Sequence, residues 1–441
     1  MRTSQPQWLG RASLNQRSAR GVKERDPTYA FDMRLNLTSQ SLTTFGLGLL
    51  CGLGLSLLSG ASPSGQFAVF ARALDLIETE YIDERSYEEL IYDAIGGLTQ
   101  GLDDHSVFLD PEAYSALSET TRGEYSGVGL DARVADDHAE VVGVVPDAPA
   151  AKAGVEVGDR IVEVDGYGVS LGGVDGLVQR LRGPIGSVVK VGLLRRSSDE
   201  AWQRHDLELR RAKVQVPSVF VEEQGDELVS LKITRFQRDT RDEVRSVLDS
   251  RAQRPRGLVL DLRDNPGGYL SEAVKVADLW VRGGILVTTL DRGSRADHDR
   301  AKRRGTDAQT PIAVLINSGS ASAAEIVAGA LRDHSRARII GYPSYGKGSV
   351  QRFFELGDGS ALKLTTARYY TPSGEHFSGA GIEPEILLGP RGASAPGLDL
   401  SELLGPQAGA DDPAMQVALA WLRRPDQVDA WFAARLASAE E

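Results

Sequence analysis

The chain has 441 residues, 41% hydrophobic and 25% charged, which gives room for two or three globular domains. Its net charge of −12 argues against nucleic acid as a partner. A single cysteine, Cys51, excludes an internal disulfide and a thiolate metal site, and no His/Asp/Glu pattern suggests a catalytic metal or implies a cofactor.

Nothing from Leu35 to Ala71 is charged, and within that span Phe45 to Ala61 is rich in Leu and Gly. Its length suits a membrane helix or the apolar core of a signal peptide. Arg11, Arg17, Arg20, Lys23, Arg25 and Arg34 precede it, and the first positive charge after it is Arg72. That asymmetry places residues 1–40 in the cytoplasm as a polar extension, with everything beyond residue 62 exported. In a bacterium the destination is the periplasmic side of the inner membrane. Ser59-Gly60-Ala61 has the small-x-small form of a cleavage site, so residues 41–61 serve either as a retained anchor or as a cleaved signal. Met33 is an alternative start.

Residues 66–118 read as a helical segment. Phe70, Leu74, Ile77 and Tyr81 fall at helical spacing, as do Leu90, Ile91, Ala94, Ile95 and Leu98, with a break near Asp83-Glu84-Arg85-Ser86. From 119 to 205 the character changes to short strands and glycines. Strands are expected at Asp131 to Val134, His138 to Val145 and within Val157 to Gly166. A short helix opens at Pro146 to Gly154, a second covers Val174 to Arg182, and a final strand covers Val188 to Arg195. This run is similar to a PDZ domain, a module that holds a peptide's C-terminal carboxylate on loop N–H groups and pairs the peptide with a sheet edge. Gly127, Val128, Gly129 and Leu130 match that loop; the bland alternative is a β-turn closed by glycines.

Residues 206–388 alternate strand and helix. Leu228 to Phe236 and Gly257 to Arg263 read as strands, with a polar amphipathic helix from Asp239 to Ser250 between them. Asp264-Asn265-Pro266-Gly267-Gly268 ends the second strand, and Ser271 to Trp280 is helical. The arrangement repeats at Pro311 to Ile316, 323–334 and Arg338 to Gly341, which predicts an α/β (mixed α+β) core on a mostly parallel sheet. In such a sheet the turn after Arg263 lies beside the one carrying Ser320-Ala321-Ser322. Asp358-Gly359 marks a hairpin between 352–356 and 360–371. Residues 389–412 form a linker, and Pro413 to Arg423 and Val428 to Ala437 are helices without a nameable role.

Gly319-Ser320-Ala321-Ser322-Ala323-Ala324-Glu325 and Gly346-Lys347-Gly348-Ser349-Val350-Gln351, together with the Asn-Pro-Gly-Gly turn, resemble the carboxyl-terminal processing proteases over roughly residues 68 to 388. These are PDZ-containing serine endopeptidases with a Ser-Lys dyad. Ala324 stands where many relatives carry a third serine. The resemblance implies Ser322 as nucleophile, Lys347 as its base and Gln351 as a residue that helps hold the lysine. It implies an oxyanion hole from the backbone N–H groups of Gly268 and Ala323, with Gly267 as the lesser choice. It further implies that Arg182 couples peptide binding to the protease site, and that the substrate is a protein or peptide with an exposed, apolar C-terminus. An adaptor or activator protein and a homo-oligomer are compatible with it, since the helical segment of some members contributes dimer contacts. A Ser-His-Asp triad is the rival chemistry. Its nearest histidine in sequence, His334, would sit on the order of 18 Å from Ser322 along one helix. A non-catalytic, exported PDZ adaptor is the rival function.

Overall fold

A computed structural model describes residues 63–135, 138–169, 173–197, 200–302, 307–392, 399–405 and 412–439. The apolar stretch at 45–61, Cys51 and Met33 lie outside the described residues. No helix among the described residues is long and apolar enough to cross a membrane.

The chain divides into two compact units, meeting in sequence between Phe108 and Leu109. The first contributes two described helices, Pro63–Glu80 and Tyr87–Gln100. The second helix starts on a capping box, in which Ser86 Oγ accepts from Glu89 N and Glu89 accepts from Ser86 N, each at 3.2 Å.

The second unit begins with a helix at Pro111–Arg122 and then a PDZ-like sheet. Its strands lie in the order Leu130–Val134, Ala139–Val144, Arg160–Val164, Val188–Arg196, Trp202–Arg210, all antiparallel. The helix Gly173–Leu181 packs on the strands at 130–134 and 160–164. Val188–Arg196 is therefore not the last strand, because Trp202–Arg210 pairs with it along its whole length. A two-stranded ribbon, Glu124–Gly127 with Ala212–Gln215, ties the entering and leaving chain together at the base of the sheet.

The core sheet follows in chain order: β1 (Val219–Glu223), β2 (Leu228–Ile233), helix α1 (Thr240–Asp249), β3 (Gly257–Asp261), α2 (Leu270–Ala277), β4 (Ile312–Ile316), α3 (Ala323–Asp333), β5 (Ala337–Gly341) and β6 (Ile386–Leu387). The strands stand side by side in that same order. β1 is antiparallel to β2, and the rest are parallel. Parallel neighbours joined by right-handed crossovers that always advance in one direction put every crossover helix on one face. Val244 of α1, Ala273 and Val276 of α2, and Ile326, Val327 and Leu331 of α3 accordingly share one core with Leu231, Leu258, Leu260 and Val314.

The opposite face would be bare. It is closed by the C-terminal residues, Leu400, Leu403 and Leu404 with α4 (Pro413–Arg423) and α5 (Pro425–Ala439), which pack on Leu228, Val259, Ala313, Leu315 and Ile340. The C-terminal helices thus have a role that their sequence alone does not announce: they supply the third layer. Burial on both faces is why β3 and β4 read as unbroken apolar runs. A second, antiparallel sheet sets Ala361–Tyr370 between Ser349–Glu355 and Ile285–Asp291, with Ala296–Arg300 beyond. The hairpin at 358–359 is present, and the 285–300 pair adds to it.

Candidate active site

β3 and β4 are adjacent and parallel, so the turns leaving their C-terminal ends meet. Side chains stitch them together. Asn317 Oδ1 accepts from Asp264 N at 2.9 Å and Gly319 N at 3.0 Å, and Asn317 Nδ2 donates to Asp264 Oδ1 at 3.0 Å. The Ser320 hydroxyl donates to Leu262 O at 2.8 Å, and Ala321 N donates to Asn265 O at 2.9 Å. Ser320 is fully buried and spent on this bracing, whereas Ser322 is part-exposed.

Ser322 caps α3 with φ 55° and ψ −112°, a left-handed conformation that a side-chain-bearing residue adopts at a cost of about 1–3 kcal/mol. A strained strand-to-helix turn of this kind lifts a hydroxyl out of the fold and sets it beside unused helix N–H groups. Ala323 N is the first of these and donates to no acceptor among the described residues.

The Asn-Pro-Gly-Gly turn lies directly against it. A Cβ built on Gly267 would stand 2.8 Å from both Ala321 O and Ser322 Cβ, and 3.0 Å from Ala323 N. Only glycine fits there, and φ 99° adds to the demand. Gly267 N donates to Asn265 Oδ1 at 2.8 Å, and Asn265, wholly buried, donates in turn to Ile233 O at 2.8 Å. Gly268 N donates to no acceptor among the described residues, while its α-carbon is pressed on the Phe236 backbone. Of the two glycines, Gly268 has the free amide.

Lys347 arrives on the loop that leaves β5. Its loop is fixed by Glu325, a carboxylate with no exposed surface. Glu325 Oε2 accepts from Ser322 N at 2.7 Å and from Lys347 N at 2.8 Å. Glu325 Oε1 accepts from Gly346 N at 2.6 Å and from the Ser344 hydroxyl at 2.5 Å. One carboxylate oxygen therefore holds the backbones of Ser322 and Lys347 side by side. Burial pushes the Glu325 carboxyl above its ordinary value, against four hydrogen bonds that favour its charged form. The flanking glycines let the loop press on residues 376–381. A Cβ on Gly346 would meet Gly379 and Gly381 backbone at 2.9 Å, and one on Gly348 would meet Ser378 N at 2.9 Å.

Burial pushes the Lys347 ammonium below its ordinary 10.5, and the like charge of Lys363 adds to this, while Glu325 opposes it. No hydrogen bond joins Lys347 Nζ to Ser322 Oγ in this structure. Gln351 is not bonded to the lysine either: its amide donates to Ser349 Oγ at 2.7 Å and Thr365 Oγ1 at 3.4 Å. His334 bonds Ile285 O at 2.7 Å from the far end of α3, which removes it from Ser322.

In the PDZ-like sheet, Gly127 ends the ribbon strand against the Tyr125 ring. Gly129 has φ 83° and abuts Ala148 Cβ, and Val128 O and Gly129 O accept from Ala150 N and Val145 N at 2.9 Å each. Leu130 opens the strand that follows. Arg182 pairs with Glu119 at 3.2 Å, and its guanidinium stands 5.0 Å from the Tyr125 ring centre. These side-chain contacts, to Glu119 and Tyr125, are not with Ser322 or Lys347.

Sequence reasoning gave no role to Glu325, Asn265 or Asn317. The Ser-x-x-Glu spacing of Ser322 and Glu325 is the signal of a helix start. What it does not disclose is that the same carboxylate also reaches the lysine loop.

Residues 227–388 match the model of peptidase family S41, and residues 140–195 match a PDZ domain. The carboxy-terminal-processing protease of Bartonella bacilliformis is 39% identical over 330 residues, 73% of this chain and 75% of that protein. The carboxy-terminal processing protease CtpA of Bacillus subtilis is 32% identical over 354 residues, 79% of this chain and 74% of that protein. Among solved structures, a photosystem II D1 C-terminal processing protease aligns over 73% of this chain and 92% of its own, at 31% identity and a TM-score of 0.43. The chain belongs to peptidase family S41, as a carboxy-terminal processing serine protease that carries a PDZ domain.

Proposed function

We propose that the chain is an exported endopeptidase that captures apolar protein C-termini on its PDZ domain and cuts nearby with a Ser322–Lys347 dyad. The observation that carries this is the shared Glu325 oxygen, which binds the nucleophile's backbone and the base's backbone to one atom. The uncharged stretch at 35–71 with basic residues ahead of it supports export.

In this reading Lys347, desolvated and neutral, takes the proton as Ser322 Oγ attacks the scissile carbonyl. Its amine closes to hydrogen-bonding distance of the hydroxyl once substrate excludes water. The unspent N–H groups of Gly268 and Ala323 stabilise the oxyanion. Collapse breaks the C–N bond and passes the proton from Lys347 to the leaving amine, and water then repeats the sequence on the acyl-enzyme. The carboxylate of the substrate's end binds the N–H groups of Gly127 to Leu130, and its last residues pair with the strand at 130–134. Gln351 reaches the lysine only if its amide leaves Ser349.

The test uses full-length protein and an unfolded protein ending in apolar residues, made with a free C-terminal carboxylate or a carboxamide, with fragments followed by mass. Wild type is expected to cut the free acid faster by about tenfold or more, and Ser322→Ala to cut neither. Equal rates on the two substrates would remove the PDZ-capture step. Binding without cleavage by wild type would favour the adaptor reading.

A further inference from the structure

Arg235 stands out among the partly buried arginines of the core. Arg263 bonds Asp261 and Asp412, Arg332 bonds Asp333 and Glu375, Arg336 bonds three backbone carbonyls, and Arg338 bonds Glu385 and Asp429. The guanidinium of Arg235 has no hydrogen bond or ion pair among the described residues, and its Nε is buried without an acceptor. Burial alone pushes it below its usual value. A half-buried charge with one donor sealed from water and unpaired carries a cost that an incoming anion would relieve.

Its position says which ligand. Arg235 lies just beyond the C-terminal end of β2, on the edge of the parallel sheet where the site is built. The next residue, Phe236, donates its N–H to Gly267 O at 2.9 Å and accepts from Tyr269 N at 2.7 Å, so Arg235 adjoins the turn that touches Ser322. The molecule that comes to this edge is the substrate polypeptide. Its terminal carboxylate goes to the PDZ loop in the reading above, which leaves its Asp and Glu side chains as the anions that can come here. We propose that Arg235 is a specificity-determining residue that pairs with a carboxylate of the substrate near the bond being cut. The proposal rests on the reading of Ser322 as nucleophile.

The experiment measures kcat and KM of full-length wild type, Arg235→Gln, Arg235→Lys and Ser322→Ala on a quenched peptide of a sequence the wild type cleaves. The peptide is made with Glu or Gln at each position around the cut, always with a free C-terminal acid. Wild type is expected to favour Glu over Gln at one position by about tenfold, mainly through KM. Arg235→Gln should lose that preference by weakening only the acidic peptide, Arg235→Lys should keep part of it, and neither should melt below wild type. A wild type indifferent to Glu or Gln at every position, an Arg235→Gln that keeps the preference, or one that loses the same factor on every peptide overturns the inference. So does an Arg235→Gln that loses activity because it melts lower. Ser322→Ala separates the two claims: if it still cleaves, the nucleophile is wrong whatever Arg235 does.

Discussion

Lys347→Ala is expected to lower kcat/KM by about 10²–10⁴-fold while leaving the circular dichroism spectrum unchanged. The side chain makes no hydrogen bond among the described residues, and the loop is held through its backbone by Glu325, so removing the amine is expected to leave the architecture in place. The wild-type pH profile carries the same claim. In the proposed dyad the neutral amine is the active form, so activity is expected to rise as pH climbs through the Lys347 pKa. Burial and the charge of Lys363 hold that pKa below 10.5, which brings the rise down toward neutral pH. Lys363→Met removes one of the two causes. The ammonium of Lys347 becomes easier to keep, its pKa goes up, and the rise in kcat/KM moves to higher pH. A profile that stays in place or moves to lower pH would show that a different group titrates.

Glu325→Ala should cost both stability and activity. It strips acceptors from three backbone N–H groups and the Ser344 hydroxyl around a carboxylate that has no exposed surface. Each buried donor left unpaired costs about 1–3 kcal/mol, so a loss of about 3 kcal/mol or more is expected even after partial relaxation. The Ser344 hydroxyl also accepts from Ile382 N at 2.6 Å, so the disturbance reaches the segment that presses on Gly346. Glu325→Gln preserves shape and volume but puts an amide where only donors point, and it should recover little. Urea unfolding with parallel assays checks both. A Glu325→Ala protein within about 0.5 kcal/mol of wild type would mean that the carboxylate does not fasten the two loops.

The core sheet and the meeting of its two turns were legible in the sequence for a physical reason. Strands buried on both faces must be apolar throughout, and β3 and β4 carry that pattern, each followed by a glycine- or serine-rich turn. The strand Trp202–Arg210 was hidden because its side chains are nearly all exposed, with Leu209 its one buried position. Ala296–Arg300 was hidden for the same reason, since it reads Ala-Asp-His-Asp-Arg and buries nothing fully. The C-terminal helices show their helical period but not their partner, because the need for a third layer follows from strand order, which lies in the topology. Glu325 was visible only as a helix-start signal. The groups it holds at the lysine loop are backbone N–H groups more than twenty residues on, and a backbone amide leaves no trace in the sequence. Arg235 was passed over within an alternating strand, as its lack of a partner can be seen only once the surroundings are in place.

The measurement that bears most directly on the account is the intact mass of the enzyme quenched in acid during turnover of an activated ester of a short apolar peptide. The account predicts one added acyl group, mapped by fragmentation to Ser322, absent from Ser322→Ala and formed far more slowly in Lys347→Ala. An acyl group on any other residue, or a Ser322→Ala protein that turns the ester over at the wild-type rate, would contradict it.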